Sequence, residues 1–217
     1  MGVNGKHGHP AKDIGMEISE SEVIKEFSDE EKIRLIQSHF TRIMEILGLD
    51  VNDSSLKDTP KRVAKMYVSE IFSGLNARNF PEITLFENTY GYDEMLIVKD
   101  ISLYSICEHH FAPIIGKVHV GYFPREKVIG LSKVNRLARF FARKPQVQEK
   151  LTMEIAQSLE EVLQTRDVAV YIEANHLCVA SRGVKDTDSY TKTSYYGGRF
   201  KQRALKSEFL EQIKNTG

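Results

Sequence analysis

Both cysteines of this 217-residue chain stand beside histidines, in Cys107-Glu108-His109-His110 and in His176-Leu177-Cys178. Thiolate and imidazole are ligands that Zn²⁺ favours, and two thiolates with one imidazole leave its fourth tetrahedral position open to water. Isolated cysteines ordinarily pack in cores as small apolar side chains. Here each has a histidine two or three residues away, which points to a metal site. A closed structural zinc site normally takes four protein ligands, frequently from two paired Cys-x-x-Cys knuckles, and the count here argues against one. An open, catalytic site fits the count better, with Zn²⁺ as the expected cofactor.

The first motif closes an expected strand at Ile106, so Cys107 and His110 fall on a tight turn where residues three apart can point the same way. In the second motif His176 and Cys178 lie two apart, which puts both on one face of an extended chain. Cys178 can then ligate while His176 leans over the open position. His109 does not share the direction of His110, which leaves it as a supporting group or a substrate contact. His39 and His119 have no such company and read as packing or surface histidines.

A second constellation is basic. Lys133, Arg136, Arg139, Arg143 and Lys144 follow Ser132 with no acidic residue among them. At about 100° per residue the first four fall within an arc of roughly 120°. Such a face is ordinarily solvated, and bases toward a helix carboxyl end are favoured by the dipole. Arg182, four residues past Cys178, adds a further base beside the metal motif. A basic helix amino terminus near a metal suits phosphate, with Ser132 as cap or phosphate donor. Gln148 and Glu149 open the next helix, where an acidic residue is locally favourable. They could equally offer an amide and a carboxylate to a purine edge, and both readings stand.

The elements that must position these groups are legible in outline. Ser28 to Glu31 forms a capping box ahead of an amphipathic helix that runs to Gly48, and Thr59-Pro60 starts a second that runs through Ile71 to Gly74. Strand patterns occupy 83–86, 95–106, 117–123, 167–175 and 190–200. Two helices, from Ser132 to about Arg143 and from Pro145 to about Gln164, interrupt them, and a short helix near Glu208 ends the chain. This order describes an α+β protein whose sheet carries its helices on one face. Three segments are expected: a mobile polar tail over 1–20 containing His7 and His9, a helical segment over 21–80, and a catalytic domain over 81–217.

Composition narrows the classes. Thirty basic and thirty acidic residues balance, which does not suggest a nucleic-acid binder. No apolar run approaches the roughly 18 residues of a membrane span, and the amino terminus lacks a signal peptide's apolar stretch. A cytoplasmic protein is expected, in a compartment where cysteines stay reduced.

The segments Cys107–His110, Gly130-Leu-Ser-Lys-Val-Asn-Arg136, Arg143-Lys-Pro-Gln-Val-Gln-Glu149, His176-Leu-Cys-Val179 and Ser181-Arg-Gly183 resemble GTP cyclohydrolase I. Asp58 to Tyr67 and Glu70 to Gly74 are similar to that family's amino-terminal helix, and the likeness runs in order over about residues 30 to 212. Tyr195-Tyr196 departs from the serine-leucine of the family pattern, which bears on the packing of the last strand. The resemblance implies the tunnelling fold, a four-stranded antiparallel sheet backed by two antiparallel helices, assembled as a toroidal homodecamer with active sites at subunit interfaces. It implies zinc on Cys107, His110 and Cys178. It further implies conversion of GTP to 7,8-dihydroneopterin triphosphate and formate, the entry to folate and other pterins. In that reading His176 exchanges protons near N7 and the ring oxygen, and His109 assists at the ribose. Glu149 and Gln148 hold guanine, while Ser132, Lys133, Arg136, Arg182 and Arg62, the last from a neighbouring subunit, hold the triphosphate. Two rivals remain: a catalytically inactive zinc-stabilised assembly protein of the same fold, and a deazapurine nitrile reductase of the same fold. The first predicts a disrupted His176 or Glu149, and both are present. The second needs a nucleophilic cysteine and a nicotinamide site, and no Gly-x-Gly-x-x-Gly occurs.

Overall fold

Residues 27–214 are described by a computed structural model. The polar stretch over 1–20 lies outside them. Helix α1 spans Asp29–Ile46, and Ser28 and Glu31 form its reciprocal capping box: Glu31 N donates to Ser28 Oγ at 3.2 Å and Ser28 N to Glu31 Oε2 at 2.9 Å. Gly48, with φ +78°, follows its end in the left-handed region that glycine reaches freely. Helix α2 covers Thr59–Met66, capped one residue before the expected position, at Asp58, and widens into a π-turn over Tyr67–Ile71.

The strands are β1 (Leu85–Glu87), β2 (Leu96–Cys107), β3 (Pro113–Tyr122), β4 (Lys127–Ile129), β5 (Pro145–Gln146), β6 (Val168–His176) and β7 (Thr191–Tyr196). The main sheet has the order β5-β2-β3-β6-β7. Its four long strands are antiparallel throughout, and the two-residue β5 adds a short parallel pairing at one edge. The sheet therefore has five strands rather than the expected four, and β1 pairs with β4 in a separate ribbon. Two-residue strands such as β5 carry no alternation, so their pairing is invisible in sequence.

Helices α3 (Leu131–Ala142) and α4 (Gln148–Leu163) cover one face. Val134, Leu137 and Ala138 of α3 and Leu151, Ile155 and Leu159 of α4 are buried in one cluster with Leu103, Val118, Val120, Val170 and Ile172 of the strands. Each such Val, Leu or Ile side chain contributes about 1.5–3 kcal/mol on burial. The terminal helix α6 (Arg203–Lys214) instead sits on the opposite face, where Phe209 and Ile213 meet Phe123, Ala169 and Phe200. That corrects the expectation of helices on one face only. Ala169 alternates with Val168 and Val170 along β6, so it must point away from the main core. Tyr195 and Tyr196 are accommodated on the two faces. Tyr195 packs on the main core and its hydroxyl donates to Glu160 Oε1 at 2.7 Å, while Tyr196 meets Phe209 edge-on.

The segment after α2 is seated on the carboxyl end of α3, where Gly74 N donates to Arg143 O at 2.9 Å. A Cβ on Gly74 would press into the carbonyl oxygens of both Phe140 and Arg143. Backbone atoms cannot swing aside, so Gly74→Ala is expected to cost at least about 2 kcal/mol, in the range for overpacking. A denaturant midpoint unchanged from the parent would contradict this close approach.

Candidate metal centre

Strand register brings the two Cys/His motifs to the same end of the sheet. β2 ends at Cys107, whose N–H donates to Ala112 O at 2.8 Å, and Phe111 N returns a bond to Cys107 O at 2.9 Å. Phe111 closes this turn with φ +50°, a conformation uncommon for a bulky residue and held here by both bonds. β3 then starts with Pro113 opposite Ile106, and Ile114 pairs with His176 at the end of β6. His176 is the last residue of that strand. Leu177–Ala180 forms α5, a single helical turn, so Cys178 is delivered by that turn and not by an extended chain as the two-residue spacing suggested.

The ligand atoms of Cys107, His110 and Cys178 lie within 4.8 Å of one another, with Cys107 Sγ 4.0 Å from His110 Nδ1. Tetrahedral zinc with sulfur at about 2.3 Å and nitrogen at about 2.0 Å needs donor separations of about 3.5–3.8 Å. The three groups meet that with a contraction of about an ångström or less, so the donor set fits such an ion. Cys107 is buried, Cys178 half-buried and His110 exposed, which leaves the group open on the solvent side. Burial pushes the Cys178 thiol up, the adjacent Cys107 adds to this, and Arg182 draws it partly back. A divalent cation between the thiols reverses that preference, because it binds the thiolate forms.

His109 lies as close to one thiol as His110 does, with Nδ1 3.8 Å from Cys107 Sγ, yet only His110 completes the three-residue group. Its other ring nitrogen lies 3.9 Å from Glu108. Accordingly His110→Ala is expected to lose metal, measured as ions per chain, whereas His109→Ala retains it. Equal loss in both variants would remove the distinction.

His176 stands next to this group with Nε2 2.8 Å from Gln148 Oε1. Burial lowers its pKa, and Glu149 opposes that in part, so the neutral ring is favoured near pH 7. Gln148 itself is 1% exposed, and its amide nitrogen donates to Ile172 O, Thr191 O and Thr193 Oγ1 at 3.0–3.2 Å. These bonds engage the amide donors that a purine contact would use. Glu149 is exposed at the start of α4, and Arg182 is exposed just beyond α5.

The remaining basic residues lie on other walls. Ser132 is exposed within the first turn of α3, whose cap is Gly130, so it is not the cap. Lys133 follows it half-buried, and Arg136 lines a cavity of about 390 Å³ with Arg139, Arg143, Ser69, Ser73 and Asn79. No residue of the Cys/His group is in that wall. Arg62 pairs with Asp58 at 3.7 Å on the surface of α2. His39 is exposed, and His119 is buried, its Nδ1 accepting from Asp100 N at 3.3 Å. Sequence reasoning missed Thr152, Thr193 and Gln146. Thr152 stands four residues past Gln148, which is helical spacing, but nothing in the sequence ties Thr193 to either.

Fold and site together define an α+β protein with a single main sheet, carrying at one end a Cys/His/Cys group able to hold a metal ion beside a half-buried histidine. Residues 36–214 match the model of the family described as GTP cyclohydrolase I, and the chain belongs to that family. Relatives named GTP cyclohydrolase 1 include one from Flavobacterium johnsoniae, 53% identical over 87% of this chain and 85% of its own length. Two more come from Aeromonas salmonicida, at 53% identity over 88% of each chain, and Aeromonas hydrophila, at 55% over 85% of each. Among the described residues no helix is long and apolar enough to cross a membrane.

Proposed function

We propose that this protein hydrolyses GTP at guanine C8 and rearranges it to 7,8-dihydroneopterin triphosphate, consuming one water and releasing formate. The observation that carries the reading is the meeting of two thiols, an imidazole and His176 at one sheet end, in a chain more than half identical to proteins bearing that name. Cys107, His110 and Cys178 would hold zinc. When bound, zinc supplies Lewis acidity and lowers the pKa of water from 15.7 to about 7.

The chain's own residues handle protons and orientation. His176, neutral near pH 7, takes the proton released by the attacking water and delivers it to N7, and later delivers one to the ribose ring oxygen, work typically worth about 10²–10⁴ in rate. His109, exposed at the same turn, assists at the ribose. Glu149 accepts from the N1–H and N2 amine of guanine; a purine lacking these donors would leave the carboxylate unpaired and is rejected. Arg182, Ser132, Lys133, Arg136 and Arg62 bind the triphosphate. The cavity lined by Arg136 excludes the Cys/His group within one chain, which supports a site completed across subunit interfaces in a toroidal homodecamer of tunnelling-fold subunits. In this reading the unit from about residue 81 carries the reaction and the helices before it serve assembly. The cytoplasm, where thiols stay reduced, is the proposed location.

The direct test is to incubate the pure protein with GTP and assay formate together with a fluorescent oxidised neopterin; the absence of both products would sink the proposal. Arg182→Ala is expected to weaken GTP far more than guanosine, by about 10-fold or more for a lost charge-assisted phosphate contact. Equal losses for the two ligands would remove Arg182 from the triphosphate set.

A further inference from the structure

The hydrogen-bond directions around Gln148 can be followed proton by proton. Thr152 Oγ1 lies 2.8 Å from Gln148 O, a backbone carbonyl that can only accept, so the single hydroxyl proton of Thr152 goes there. Thr193 Oγ1 lies 2.7 Å from Thr152 Oγ1, and with Thr152's proton committed, Thr193 must be the donor in that pair. Thr193 Oγ1 is thereby left to accept from the Gln148 amide at 3.1 Å. Two further acceptors face the same amide nitrogen, the carbonyls Ile172 O at 3.2 Å and Thr191 O at 3.0 Å. Rotating the amide by half a turn would set its oxygen against two carbonyl oxygens, which offer no proton. The orientation of Gln148 is therefore settled by its surroundings, with Oε1 toward His176 Nε2 at 2.8 Å. An amide oxygen is an acceptor only, so Nε2 must carry the hydrogen.

We propose that Gln148 is a positioning residue that fixes the hydrogen of His176 on Nε2, leaving Nδ1 as the ring atom that exchanges protons with the substrate. Among the described residues Nδ1 has no hydrogen-bond partner, so nothing competes for it. The lock is anchored at both ends of the sequence that builds it: Gln148 opens α4, Thr193 lies on β7, and Ile172 and His176 lie on β6. Motion of α4 against the sheet would break several bonds at once, which gives the ring one orientation. The proposal rests on His176 being the proton-transfer group, and its test is chosen so that the two can fail separately.

The measurement is solid-state ¹⁵N NMR on sedimented, zinc-loaded, full-length protein carrying ring-labelled histidine. It is recorded at about pH 8, above the ordinary imidazole pKa, with the His176 signals assigned by their loss in His176→Asn. A protonated Nε2 with a bare Nδ1 is expected, and a protonated Nδ1 overturns the proposal. In parallel, Gln148→Met keeps the volume but removes the acceptor. It is expected to retain zinc, to keep KM for GTP within about 3-fold, and to lose about 10–100-fold in kcat, the usual cost of losing an orienting partner. A raised KM with unchanged kcat would instead mean that Gln148 reads the base, and would overturn the assignment. Should the variant fail to assemble, the spectrum of the unsubstituted protein still decides. Full turnover by His176→Asn would sink the proton-transfer role and leave the tautomer to be judged by its own signal.

Discussion

Cys178→Ser is expected to lose metal and turnover together, each by more than about 100-fold. That figure is the upper end of what removing even an outer partner of a metal ligand costs, and a ligand itself should exceed it. The substitution is nearly isosteric, so its effect isolates chemistry from packing. A thiolate is within reach at neutral pH once a cation displaces its proton, whereas a serine hydroxyl keeps its proton and offers the ion a weak neutral donor. Cys178 is only half-buried in a one-turn helix at the sheet end, where it packs against the edge of the aliphatic cluster that holds α3 and α4. The thermal midpoint of the metal-free variant is accordingly expected to lie within a few degrees of that of the metal-free parent, the shift that about 1 kcal/mol gives in a chain of this size. Zinc counted per chain and formate released per minute check the result. Stoichiometric zinc with full turnover would strike Cys178 from the ligand set.

His176→Ala is expected to separate binding from chemistry. Among the described residues its side chain makes one hydrogen bond, to Gln148, and none to the three candidate metal ligands, so zinc content and GTP affinity should survive. Turnover should fall by about 10²–10⁴, the range that general acid–base catalysis supplies. Binding of GTP followed by equilibrium dialysis, beside single-turnover formation of formate, distinguishes the two steps. Unchanged turnover would refute the assignment, and loss of zinc would show that the ring supports the metal group instead.

Much of this site could be read from residue order because its parts are local. Cys107 and His110 share one turn, and His176 and Cys178 are two residues apart, so the pairing within each motif needed no knowledge of tertiary structure. The capping box at Ser28 and the apolar stripe of α4 were legible for the same reason: each is a pattern within a few turns of one element. Reading failed where long-range pairing decides. The spacing of His176 and Cys178 implied extended chain, but the strand ends at His176, where its pairing with β3 runs out. Gln148 looked like a free amide at a helix start, and only the approach of β7 and β6 shows its donors consumed. Terminal helix α6 crosses to the far face because Phe209 finds Phe200 and Phe123 there, a contact no periodicity within α6 encodes.

The pairing of Ile114 with His176 and of Ile106 with Pro113 has a consequence for how the chain is proofread during its birth. A slip of one residue along β3 would turn side chains to the wrong side of the pleat, and the two sulfurs would no longer converge with the ring nitrogen. A cation captured only by the correct alignment adds stability to that alignment alone, about 2.7 kcal/mol when its free concentration is a hundred times the dissociation constant. An ion held there would thus reward correct strand alignment as well as serve the reaction.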